Sequence, residues 1–204
     1  MNTRVLTATL PSGVIYVSGT VNGVETTWTN TEGEIWQTVA DRSEHDVYVV
    51  ALEMVGATGS VTKATFTLYY GLHLITDRTN TDVANGTEKG SYRASDLNRV
   101  NAAMNYVAGR LLEYGYAPSI QTKSNWMETD WITESAAQQY LDNLTELRQQ
   151  FSLLQSSPPA PGDMQGLTYT EANNIEKILE DIDFLLTNIS KAWVYSGEVY
   201  SGEV

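Results

Sequence analysis

Apolar residues alternate with polar ones from the start of the chain to about Tyr70, and from Ser95 to Trp193 they recur every three or four residues. The first spacing belongs to strands with one buried face, the second to helices with one buried stripe. Between them, Thr76–Arg93 has few large apolar side chains. The pattern predicts an α+β multidomain chain. An antiparallel β-sandwich covers 1–74, a linker 75–93, a three-helix bundle 94–193 and a C-terminal strand or tail 194–204.

Six strands are predicted: Val5–Leu10, Val14–Ser18, Gly23–Thr29, Glu34–Val39, Val47–Val55 and Val61–Tyr70. Turn residues separate them, as in Pro11-Ser12-Gly13 and Gly56-Ala57-Thr58-Gly59, because Gly and Asn tolerate positive φ. The last strand alternates most clearly, with Thr62, Ala64, Phe66, Leu68 and Tyr70 on one face. Turns every eight to twelve residues indicate a small sandwich, with Trp28 and Trp36 as core fillers.

A first helix is predicted from Ser95, read as its N-cap, to Tyr114, with Gly115 as the stop. Leu97, Val100, Met104, Val107, Leu111 and Leu112 form its stripe, and Asn98, Arg99, Asn101 and Arg110 lie mostly off it. A second starts at Thr133 with the seam Tyr140, Leu144, Leu147, Phe151 and Leu154. A third opens on the capping box Thr168-x-x-Glu171 and carries Ile175, Ile178, Leu179, Ile182, Leu186 and Trp193. The segment 116–132 reads as an extended crossover against the bundle, with Trp126 and Trp131 covering its apolar end and Ile120–Lys123 as a short strand. The chain closes on two identical units, Tyr195–Val199 and Tyr200–Val204. They read either as a terminal strand or tail, or as a docking strand for Ile120–Lys123 or a neighbouring subunit, which makes Trp193, Tyr195 and Tyr200 the candidate interface residues.

Charge narrows the partners. The chain of 204 residues carries a net −13, distributed as −4 over 1–74, zero over 75–93 and −9 over 94–204. Nucleic acid and anionic lipid both require clustered Lys and Arg, so neither is an expected partner. No stretch approaches a membrane span, and the N-terminus lacks the apolar core of a secretory signal, so a soluble protein made in the cytosol is expected.

Candidate chemistry is sparse. The absence of cysteine excludes thiolate catalysis, Cys-based zinc sites and disulfides. His45 and His73 are the two histidines, and no His pair stands at i, i+4, so no metal site is expected. Glu180-Asp181-x-Asp183 lies within one helix and reads as a solvated face, and Glu128 and Asp130 in the crossover read the same way. No Gly-x-Ser-x-Gly elbow and no phosphate-binding Gly-rich loop occurs. The expectation is a non-enzyme with no catalytic residue, no cofactor and no metal.

Val47–Tyr70 resembles the last two strands of bacterial immunoglobulin-like modules, through Asp46-Val47-Tyr48-Val49-Val50, the turn Gly56–Gly59 and the Thr-rich strand Thr62–Leu68. The resemblance implies an Ig-like sandwich. Tyr48 would be the corner tyrosine, its hydroxyl returning to backbone near Ser43–His45, and Val50 stands where antibody domains have a cysteine. Most of 46–204 resembles a recurring protein of phages and prophages in gut Firmicutes. The segments that carry this are Phe66–Gly71, Leu74–Thr79, Ser95-Asp96-Leu97-Asn98-Arg99-Val100, Tyr114-Gly115-Tyr116, Leu167-Thr168-Tyr169, Glu171–Leu179 and the Tyr-Ser-Gly-Glu ending. That resemblance implies a virion structural protein, associated with the tail or its tip and assembled in the bacterial cytoplasm. Its helical half would assemble with other virion proteins, as a homo-oligomer, and its Ig-like half would be displayed. The alternative is a carbohydrate- or host-surface-binding module with a glycan partner, which requires exposed aromatics such as Tyr69, Tyr70 or Tyr116.

Overall fold

A computed structural model describes residues 2–43, 45–150 and 156–197, with 192–197 described as backbone only. The chain is α+β. Six strands come first: β1 (Thr3–Thr9), β2 (Val14–Val21), β3 (Val24–Glu32), β4 (Ile35–Asp41), β5 (Val47–Gly56) and β6 (Val61–Tyr69). Helices α1 (Asn80–Ala84), α2 (Ala94–Glu113), α3 (Glu134–Gln149) and α4 (Tyr169–Gly197) follow. The chain divides into two compact units. Unit 1 joins Met1–His73 with Tyr92–Ala103 and Thr122–Ile132; unit 2 joins Leu74–Ser91, Met104–Gln121 and Thr133–Val204.

In unit 1 all strands join one curled antiparallel sheet in the order β1-β4-β3-β2-β5-β6. Strand β3 serves two neighbours, pairing β2 over Val24–Trp28 and β4 from Thr29 onward. The inward positions are those the alternation marks, including Leu6, Ala8, Val17, Trp28, Trp36, Val50, Leu52, Met54, Phe66 and Leu68. Tyr48 is fully buried, and its hydroxyl accepts the Ser43 N–H at 3.3 Å. The outer edge of β1 is closed by side chains. The Tyr70 hydroxyl accepts the Thr7 N–H at 3.3 Å and donates to the Val5 carbonyl at 3.5 Å, while Asn125 donates to the Thr9 carbonyl. An edge capped in this way offers few free groups to another strand. Burial pushes the Tyr70 phenol above its ordinary pKa.

Helix α2 begins one residue earlier than the sequence predicts. Ser95 is inside the first turn, and the side chain that terminates the helix is Asp96, which accepts the Arg93 N–H at 3.0 Å. A carboxylate there also faces the positive end of the helix. Thr133 caps α3, its hydroxyl accepting from Ala136 N–H, and Thr168 with Glu171 forms the reciprocal box of α4. The Thr168 bonds hold the Glu171 carboxyl below its ordinary pKa. Leu112, assigned to the stripe by spacing, is 58% exposed, whereas Leu111 beside it is buried.

In unit 2 the segment Leu74–Ser91 carries local structure of its own. Helix α1 carries its own capping box, from Thr79 and Asp82. Before it, Ile75 N–H and the Arg78 guanidinium both reach Glu176 of α4, at 2.5 and 2.8 Å, and Arg78 and Glu176 are buried. In the acidic run of α4, Glu180 is exposed as expected, but Asp181 and Asp183 do not form a solvated face. Asp181 is buried and takes bonds from Ser157 at 2.5 Å and Lys177 at 2.8 Å, and Asp183 pairs with Arg110 of α2. These carboxylates balance nearby cations instead of facing water. The predicted strand Ile120–Lys123 does not form. In unit 2, the Gln121 N–H and carbonyl bond the buried side chain of Asn143, at 3.0 and 2.5 Å.

Candidate functional site

The most distinctive construction in unit 1 is the loop Thr122–Ile132, held by three asparagines. Asn98 on α2 accepts the Trp126 N–H at 2.6 Å and donates to the Trp126 carbonyl at 2.9 Å. One turn on, Asn101 donates to the Lys123 carbonyl at 2.9 Å. From the loop itself, Asn125 reaches the Thr9 carbonyl of β1. A side-chain amide can complete both backbone bonds of one residue, so Asn98 substitutes at Trp126 for a strand partner that the loop lacks. Asn98, Asn101 and Asn125 are all buried.

Packing adds to these bonds. Trp126 is buried, and Met127 lies against the sheet core. The Lys123 ammonium sits 4.0 Å from the centroid of the Trp126 ring and 2.6 Å from an Asp130 carboxylate oxygen. Asp130 also accepts the Met127 N–H at 3.2 Å, and its own N–H donates to the Met127 carbonyl at 2.9 Å, closing the turn Met127–Asp130. The cation of the loop is therefore engaged twice, while Glu128 at the turn is exposed. Next along the chain comes Trp131, 91% exposed, with Ile132 41% exposed. The expectation that Trp126 and Trp131 both cover an apolar end is corrected: Trp126 is inside and Trp131 projects into water. Backbone bonds aim Trp126 inward, and the Met127–Asp130 turn separates the two rings.

No protein-family model, curated protein or solved structure matches the chain.

The other candidates behave differently. Tyr70 is not free to bind: Arg4 stacks 4.4 Å above its ring, Tyr48 meets it edge-on at 5.8 Å, and its hydroxyl caps β1. His45 is exposed in the turn before β5. His73 bonds the Tyr70 carbonyl at 3.0 Å, and Arg99 donates to the His73 carbonyl at 2.8 Å. Trp193 and Tyr195 lie on the backbone of α4, which continues through Gly197, but their side chains lie outside the described residues, as does all of Tyr200. Among the described residues no group of three or more His, Asp or Glu is placed to hold a metal ion. A cavity of about 330 Å³ opens between the turns Pro11–Gly13 and Gly56–Ser60, floored by Met54 and Thr62, and none of its lining side chains is ionisable.

Asn98, Arg99 and Asn101 stand off the apolar stripe, and its spacing gives no sign that they are enclosed. All three are buried. A signal was present: Asn is a poor helix former because its amide competes for backbone bonds. Asn98, Asn101, Asn143 and Asn173 all sit inside helices, and each bonds backbone of a non-helical segment.

Proposed function

We propose that this chain is a non-enzymatic, tail-associated structural protein of a phage virion. The helical half makes assembly contacts, as a homo-oligomer and with other virion proteins, and the β half is displayed. In this reading the curled sheet is an Ig-like sandwich. The Tyr48 hydroxyl on Ser43 N–H supports that, as does the separation of β1–β4 from β2–β5–β6 with β3 passing between them. Helices α2, α3 and α4 close a three-helix bundle, a reading supported by their buried stripes and the Arg110–Asp183 pair.

The observation that carries the proposal is the engagement of buried polar groups in architecture. Arg78, Asp96, Arg99, Glu176 and Asp181 each bond a cap, a backbone group or an opposite charge. Arrangements of this kind stiffen a scaffold. The family-like segments Ser95–Val100 and Glu171–Leu179 supply several of the same groups, which ties the resemblance to the scaffold and not to a reaction. The test is cofractionation with intact particles after phage induction and density-gradient separation. Recovery in the particle band is expected; recovery only as free protein in the lysate refutes the proposal.

The bare Trp131 favours a second reading, a module that binds host-surface carbohydrate, since indoles stack on sugar rings. A glycan array probed with the protein and with Trp131→Ala tests it. Signal lost in the variant supports this reading, and no signal from the parent protein removes it.

A further inference from the structure

We propose that the Trp131 loop is a docking anchor for a cationic segment of a partner protein, with the indole as its central contact. The inference rests on the assembly reading in one respect, that the partner is a protein.

Three observations carry it. First, Trp131 is 91% exposed on a loop whose backbone is bonded at Lys123, Trp126 and Asp130 and whose Asn125 ties it to β1. Such a loop is already ordered before it meets a partner, so little conformational freedom remains to be lost on docking. Indoles on preordered surfaces are the side chains most often found to dominate protein interfaces. Second, the loop has internally neutralised its only cation: Lys123 lies between the Trp126 ring and Asp130. Among the described residues Glu128, exposed on the turn just before Trp131, is left as the loop's unbalanced charge. Third, the whole chain carries −13. An exposed indole three residues from an exposed carboxylate, on a strongly acidic protein, attracts guanidinium and ammonium groups and repels phosphate and sulfate. Arginine interleaved with aliphatic residues matches both parts, its charge toward Glu128 and the Trp131 ring and its apolar neighbours toward Ile132.

The probe is a capped pentapeptide of alternating arginine and leucine, titrated into the ¹⁵N-labelled full chain. The five tryptophans give separate indole N–H signals, and Trp131→Phe identifies the one that matters. The Trp131 signal is expected to move on titration, with Trp131→Ala weakening binding about threefold to fivefold, the range of an exposed cation–aromatic contact. Glu128→Gln is expected to weaken it less, and only at low salt. Trp131→Ala removes an exposed side chain, and an unchanged thermal melt confirms that the fold survives. Equal binding by Trp131→Ala overturns the proposal, because the peptide is then held by diffuse charge. A Trp131 signal that moves with chitotriose or with phosphatidylglycerol vesicles, and not with the peptide, also overturns it. Failure of the assembly reading is distinguishable: the protein then stays out of particles whatever the peptide does.

Discussion

Replacing Asn98 by alanine removes both hydrogen bonds to the Trp126 backbone, and the expected sign of the effect depends on where Asn98 is. On a solvent-facing helix position, Asn→Ala stabilises by about 0.5 kcal/mol, because alanine is the better helix former. In the structure Asn98 is buried, and its amide accepts the Trp126 N–H and donates to the Trp126 carbonyl. Each bond contributes about 1 kcal/mol net, and a buried peptide group left without a partner costs about 1–3 kcal/mol. The variant is therefore expected to lose about 2–4 kcal/mol. Two measurements check this. Urea unfolding followed by tryptophan fluorescence should show the midpoint falling by roughly 1–2 M, for an m-value near 2 kcal/mol/M. Amide exchange should show the Trp126 N–H losing protection ahead of the sheet, since the loop loosens before the core opens. A midpoint equal to or above that of the parent, with Trp126 still protected, refutes the reasoning.

Glu176→Ala leaves Arg78 buried without its carboxylate and is expected to cost about 3–5 kcal/mol, whereas Arg78→Met with Glu176→Leu recovers only part of it, because the Ile75 N–H and carbonyl lose their partners too. A single-variant loss under 1 kcal/mol in denaturant unfolding contradicts that. At Gly19 an added Cβ would stand 2.0 Å from the Ala51 carbonyl oxygen, so Gly19→Ala is expected to destabilise unit 1 by about 3 kcal/mol or more, read from the thermal midpoint. Acid sensitivity has a definite sign. The Arg42 hydrogen bond holds the Asp46 carboxyl below its ordinary pKa, and Thr79 does the same for Asp82. A lowered folded-state pKa stabilises above the unfolded value, near 4, and that stabilisation is lost as pH falls through the folded value. Asp46→Asn should flatten the acid limb of a stability–pH curve; an unchanged limb argues that Asp46 contributes nothing to it.

Much of the architecture is legible in one dimension because burial follows period. Alternation sets Ala64, Phe66 and Leu68 on one face of the last strand, and threefold-to-fourfold spacing sets Val107, Leu111, Ile175 and Ile182 on helix stripes; all are buried. A short-range signal is legible too: the Thr168–Glu171 box involves residues three apart, and local geometry alone sets it. What the sequence could not display was the destination of polar side chains. Asn98 and Trp126 are 28 residues apart, and Arg78 and Glu176 are further still. A polar residue off an apolar stripe looks the same whether it meets water or a second segment of chain.

The chain by itself determined its six strands and three long helices, their order and most of the apolar residues they bury, because each rests on the periodicity of the backbone. Only the tertiary structure decided that β3 pairs with both β2 and β4, and that asparagines stand in for missing strand partners. It also decided that of two tryptophans five positions apart one is enclosed and the other bare. The physical reason is common to all three. Hydrogen bonds and burial between distant segments depend on which backbone groups remain unpaired after local structure has formed, and that remainder exists only once the chain has folded.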